Sequence, residues 1–305
     1  MWIGVHRVVE EVPADAAIVQ QGVALGRRAI RGDGLTLALQ VDQQRQQRTL
    51  GFADLLGKLQ IRRIGVETEV RFQLADPGKA GALLPRRLFA AGEQARVPLL
   101  AGWNSAEVPY QSVMGRDTPT PENYAKKIKQ FYPDHAEEVL KLYPGNTQEE
   151  VIKSATGLGS DRFIAYGTWK WTDLQAKTGG KPVYRYLFSC PRPPMVGAAT
   201  NPAPGKMPAP LVGASHASEI EFAMGNLPYN KVYAWTADDY KVSATMENYF
   251  ANFIKTGNPN GPGLPKWEPN TKDSPVKFIN IDVNTHLESE TNRARYLFLD
   301  KEYFK

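Results

Sequence analysis

Two ionisable residues lie in segments whose composition suits proton chemistry. His216 sits in Gly213-Ala214-Ser215-His216-Ala217-Ser218-Glu219-Ile220-Glu221-Phe222-Ala223-Met224-Gly225-Asn226-Leu227, and Glu107 ends the stretch Leu99-Leu100-Ala101-Gly102-Trp103-Asn104-Ser105-Ala106-Glu107. Imidazole exchanges protons near neutral pH. A carboxylate bonded to one ring nitrogen would fix the tautomer and stabilise the imidazolium that forms when the other nitrogen takes a hydroxyl proton. On residue type alone a second reading stands: His216 is a loop histidine bonded to a turn, and Glu107 is a carboxylate favoured at a helix start by the helix dipole. Glu219, three residues after His216, reads as a structural carboxylate, not a second acid.

The flanking residues favour the first reading. The segment around His216 resembles the histidine segment of type B carboxylesterases and cholinesterases, Gly-Ala-x-His-Gly-x-Glu-Ile followed by an aromatic and Phe-Gly-Asn-Leu; Ala217 stands where that family has Gly. Such a change is tolerated unless the backbone there needs a positive φ. A second signature, Phe253-Ile254-Lys255-Thr256-Gly257-Asn258-Pro259-Asn260-Gly261-Pro262 with Leu264-Pro265-Lys266-Trp267, is similar to the family's Phe-Ala-x-Thr-Gly-Asn-Pro-Asn and Pro-x-Trp-Pro. The third, around Glu107, is similar to Gly-x-Asn-x-Asp-Glu-Gly, with Ala106 replacing Asp and Val108 replacing Gly. The resemblance, which runs from about Leu83 to Lys305, implies an α/β-hydrolase in which Glu107 and His216 are the acid and histidine of a catalytic triad. The triad order in that fold, Ser then Asp or Glu then His, fits their positions.

The serine is the missing member. The fold carries it on a strand-to-helix elbow, Gly-x-Ser-x-Gly, with an upstream glycine-rich loop whose N–H groups stabilise the oxyanion. No Gly-x-Ser-x-Gly occurs in the chain, and the first serine of any kind is Ser105, beside the acid. Gly179-Gly180 lies between a helical and a strand-like segment, where a tight turn explains it. The expected function is carboxylic-ester hydrolysis by family resemblance, with a small-molecule ester as substrate if a nucleophile-bearing part completes the site. The chain by itself is expected to be inactive, and the alternatives are a non-catalytic cholinesterase-like interaction domain or a gene fragment without a function of its own.

The elements that must position these residues read as mixed α/β. Val97 to Trp103 has the apolar run of a buried central strand, and Lys181 to Phe188 is aromatic and β-branched, as strands are. Pro121 to Tyr132 and His135 to Tyr143 read as helices, and Thr147 caps a further helix with Glu149 and Glu150 in its first turn. Ala237 to Lys255 carries a helical period that stops at Thr256-Gly257-Asn258-Pro259, and Lys277 to Asp282 alternates as a last strand. The expected fold is the C-terminal portion of an α/β-hydrolase, a mostly parallel sheet with helices on both faces and its N-terminal strands missing.

Composition divides the chain. Residues 1–80 contain no Ser, Tyr, Asn or Cys and favour Arg over Lys nine to two, whereas all thirteen Tyr lie beyond. The expected organisation is an unmatched segment over 1–80, foreign or frame-displaced, and a carboxylesterase region over 81–305. A net charge of +5 without a basic cluster excludes a nucleic-acid partner; Lys126-Lys127-Ile128-Lys129 reads as a solvated helix face. The single Cys190 excludes an internal disulfide, and four scattered histidines show no metal-ligand spacing, so neither metal nor cofactor is expected. No apolar run is long enough for a membrane span. The chain is read as soluble, with no signal peptide visible at Met1-Trp2-Ile3-Gly4 and the compartment open. If residues 1–80 pack poorly, limited proteolysis will cut before Gly92; a protected N-terminal stretch would count against that boundary.

Overall fold

In the computed structural model the described residues are 17–20 and 23–24, as strands, with 86–197 and 213–304. The chain divides into two compact units, Met1–Arg27 together with Ala95–Lys305, and Arg28–Gln94. Of the second unit the described residues form a helical stretch over 86–91.

The first unit is built on a six-stranded mixed sheet. Its strands are β1 (Ala17–Gln20), β2 (Val23–Ala24), β3 (Leu99–Asn104), β4 (Val183–Phe188), β5 (Lys277–Ile281) and β6 (His286–Ser289), in the order β2-β1-β3-β4-β5-β6. β1, β3, β4 and β5 run parallel, while β2 and β6 pair antiparallel at the two edges. The α/β class is as the sequence predicts. β1 pairs with β3 from Ala17↔Leu99 to Val19↔Ala101, so Ala17–Gln20 lies in the unit that holds Glu107 and His216. Ala17-Ile18-Val19 carries the β-branched signal of a strand, a local cue that whole-segment composition obscures.

The helices are α1 (Gln111–Met114), α2 (Pro121–Phe131), α3 (Ala136–Leu142), α4 (Gln148–Ser160), α5 (Tyr166–Thr178), α6 (Ile220–Ala223), α7 (Ala237–Thr256) and α8 (Arg293–Tyr303). Local chemistry sets their ends. Thr120 accepts from Asn123 N ahead of Pro121, and Thr147 accepts from Glu150 N. Thr236 and Asp239 close a reciprocal capping box, while Gly257 at φ 73° supplies the left-handed cap of α7. β6 and α8 are not foreseen by the sequence reading: His286-Leu287-Glu288-Ser289 has a single apolar residue and no clear alternation.

The two faces of β4 explain the layers. Tyr184, Tyr186 and Phe188 point to one side, where Tyr184 meets Phe253 edge-on at 5.9 Å and Tyr186 meets Phe250 at 5.8 Å, both from α7. On the other side Val183 packs with Leu99, Ala101 and Trp171 of α5, and Arg185 pairs with Glu290 at 2.5 Å. A second core gathers α2 to α5 and α8 around Tyr124, Ile128, Val151, Trp169 and Leu299, all fully buried. Between α4 and α5 a π-helical turn, Asp161–Ala165, shifts the helical register. It buries Asp161 against Arg295, 2.5 Å away, and Tyr143, 2.8 Å away.

β3 and β4 approach closely because Gly102 has no side chain. A Cβ there would lie 2.2 Å from the Tyr186 carbonyl oxygen and 2.4 Å from its Cγ, backbone and ring atoms that have no room to yield. Gly102→Ala is therefore expected to lower stability by about 1–3 kcal/mol through overpacking, read as a lower urea midpoint. An unchanged midpoint would show that the two strands can separate at no cost.

Candidate active site

The chain leaves β3 at Asn104, and hydrogen bonds to two other segments hold the residues beyond it. Ser105 N donates to Phe188 O at 2.9 Å, and Ala106 N donates to Ala214 O at 2.9 Å. Ala214 N in turn donates to Ser105 Oγ at 2.9 Å, and Ala106 bridges Ser215 in parallel. The segments before Glu107 and His216 thus run side by side as a short continuation of the sheet. Gly213 is needed there, since a Cβ would stand 2.3 Å from Ser105 Oγ.

This stitching brings the two predicted residues together. His216 Nδ1 lies 2.6 Å from Glu107 Oε2, and Glu107 Oε1 accepts from Asn104 N at 2.7 Å. With Nδ1–H donated to the carboxylate, Nε2 is left as the basic nitrogen. The Glu107 side chain is 2% exposed and the imidazole 39%, so the carboxylate is sealed while the ring reaches solvent. Burial pushes the Glu107 carboxyl above its usual range, opposed by the hydrogen bonds from Asn104 N and His216 and assisted by the nearby Glu219 charge. The edge of His216 meets Phe163 of the π-helical turn at 5.0 Å and 78°.

Sequence reasoning overlooks the part played by Asn104. Its Nδ2 donates to Ser215 O at 2.7 Å and to Glu219 Oε2 at 2.5 Å, while its backbone holds Glu107. Its place inside the acid motif is the only sequence cue. Glu219 is 1% exposed and accepts from the Asn104 amide. Phe163 has no sequence signal, because the π turn that aims it is a tertiary feature. After the histidine, Ala217 adopts φ 62°, the one positive φ outside glycine among the described residues, and Arg192 Nη2 donates to its carbonyl at 3.1 Å. Here the family's glycine has a physical reason.

The nearby serines are placed differently. Ser218 is fully buried, Ser105 Oγ is engaged by Ala214 N, and Ser215 is exposed. Among the described residues no cluster of His, Cys, Asp and Glu could hold a metal ion, and no helix is long and apolar enough to cross a membrane.

The chain matches the Carboxylesterase family over residues 16–299, a stretch that begins well upstream of the expected boundary at Gly81. It is similar to carboxylesterase 4A of Bos taurus, 30% identical over 222 residues that make up 67% of this chain and 37% of that protein. It is also similar to an acylcarnitine hydrolase of Mus musculus, 25% identical over 231 residues, 71% of this chain and 39% of that protein. The chain thus spans less than two fifths of the length of these relatives.

Two measurements test this geometry. A Cβ in the left-handed region costs roughly 1–2 kcal/mol, and glycine's greater unfolded-state entropy cancels about 0.5–1 kcal/mol of the relief. Ala217→Gly should therefore raise stability by about 0.5–1 kcal/mol in a urea titration; a loss would mean the strain is held elsewhere. The second concerns pH. A carboxyl whose folded pKa is raised holds its proton more tightly when folded, so its contribution is present below the ordinary value of 4.5 and is lost as pH climbs through the higher folded value. The stability of the chain relative to Glu107→Gln should fall as pH rises from 4.5 upward, and a parallel pair of pH–stability curves would contradict the burial effect.

Proposed function

Because the chain belongs to the carboxylesterase family, we propose that it carries the acid and histidine half of a serine-esterase site, with Glu107 as the orienting acid and His216 as the general base and acid. The observation that supports this most is the 2.6 Å contact between His216 Nδ1 and a Glu107 carboxylate sealed from solvent. A carboxylate so placed keeps Nδ1 protonated and leaves Nε2 to act.

In this reading Nε2 takes the proton of a serine hydroxyl as its oxygen attacks the ester carbonyl, and returns it to the departing alcohol. Water then repeats the exchange on the acyl-enzyme. Glu107 stays ionised throughout and stabilises the imidazolium. The serine and the oxyanion donors belong to a part outside this chain, because the sequence has no Gly-x-Ser-x-Gly and the serines beside His216 are buried, committed to structure, or exposed on the histidine's own loop. The substrate class is a small carboxylic ester, bound once the nucleophile-bearing part is supplied.

The magnitude of what remains decides the expected activity. General-base assistance by a positioned imidazole is typically worth about 10²–10⁴-fold, and only on an oriented substrate; losing the nucleophile of a serine hydrolase costs on the order of a millionfold. The purified chain should hydrolyse short-chain p-nitrophenyl esters no faster than its His216→Ala variant. A burst of acyl-enzyme abolished by an organophosphate would overturn the division of roles, and Ser215→Ala would then be the first variant to test.

A further inference from the structure

At the opposite end of the sheet from Glu107, a cavity of about 380 Å³ opens between the start of β5, the end of β6, α5 and α8. That volume lies within the range of small-molecule sites. Its charged lining is Lys177, Arg185, Lys272 and Arg293 against Asp173 and Glu290. The two carboxylates are already engaged: Asp173 by Lys177 at 2.7 Å and Arg293 at 3.0 Å, Glu290 by Arg185 at 2.5 Å and Arg293 at 3.0 Å. Four cations and two anions leave an excess of two positive charges around the cavity.

Arg185 is the unusual member. It sits in the middle of a central strand, 2% exposed, and its Nε has no hydrogen-bond partner among the described residues. A guanidinium at such a position is costly to bury, since its charge and its donors both lose water. Burial also lowers its pKa, opposed by Glu290. Glu290 satisfies one nitrogen, and Trp169 Nε1 competes for the same oxygen at 2.8 Å. Arg185 is thus held as the buried cationic wall of the cavity, while the exposed Lys272 is the lining cation without an ion pair among the described residues.

We propose that this cavity binds a small organic dianion, a phosphate monoester or a dicarboxylate, whose two charges match the excess. Guanidinium groups recognise both oxyanions through the same forked geometry. Lys272, exposed at the rim and free of any ion pair among the described residues, meets the ligand first.

The test is calorimetric titration of the full chain with phenyl phosphate and, separately, succinate, at constant ionic strength. Saturable binding by at least one is expected, and which one distinguishes phosphate from carboxylate recognition. Lys272→Glu should weaken that binding by at least about tenfold, the worth of one charge-assisted hydrogen bond. Lys129→Glu, on α2 and outside the cavity lining, should leave it unchanged. Because Lys272 is exposed, its replacement leaves the fold intact, which circular dichroism checks. Binding of neither dianion, or equal weakening by both substitutions, would overturn the proposal.

Discussion

Two carboxylates, Glu107 and Glu219, are buried within reach of one histidine loop, and the arrangement depends on how they are satisfied. A buried charge without partners costs several kcal/mol, so the fold must bring donors to both. Asn104 does this from one position at the end of β3, giving its backbone N–H to Glu107 and its side-chain amide to Glu219 and to Ser215 O. That placement requires β3 and β4 to continue in parallel register to Asn104↔Phe188. It also requires Gly102 and Gly213, where close approach leaves no room for a side chain.

The consequence for chemistry is a division of environments across one hydrogen bond. Glu107 faces the interior and His216 faces solvent, so the carboxylate is poised by what surrounds it while the ring stays accessible to a partner. The backbone after the ring adopts a left-handed turn that suits glycine better than the alanine present. The family's motif and the local geometry therefore agree, and the chain keeps the turn while placing alanine in it.

Charge is handled differently at the other end of the sheet. There Arg185, Glu290, Trp169, Arg293 and Asp173 form a linked network between β4, α5 and α8. It ties the helical layer to the sheet through ions as well as through the apolar contact of Val183 with Trp171, and its two arginines balance its two carboxylates. The opposite face of β4 is aromatic, with Tyr184 and Tyr186 packed on α7. A single strand thus separates an aromatic layer from one that combines ion pairs with apolar packing, as the two-residue alternation of strand side chains allows.

Much of this was legible in the chain. Cap residues such as Thr147 and Thr236 and the stop at Gly257 act within a few residues, so the ends of α4 and α7 follow from local chemistry. The pairing of Glu107 with His216 was legible only through the motifs around them, because 109 positions separate the two side chains and no local rule spans that distance. Whole-segment composition does not show that Ala17–Gln20 joins β3, since strand pairing uses backbone groups that every non-proline residue carries. Tertiary structure alone decided the clamp by Asn104, the approach of Phe163 through a π-helical turn, and the burial of Arg185 beside Glu290. Each joins groups distant in sequence whose partners are chosen by packing, and a side chain's type states what bonds it can make but not which neighbour will be there to make them.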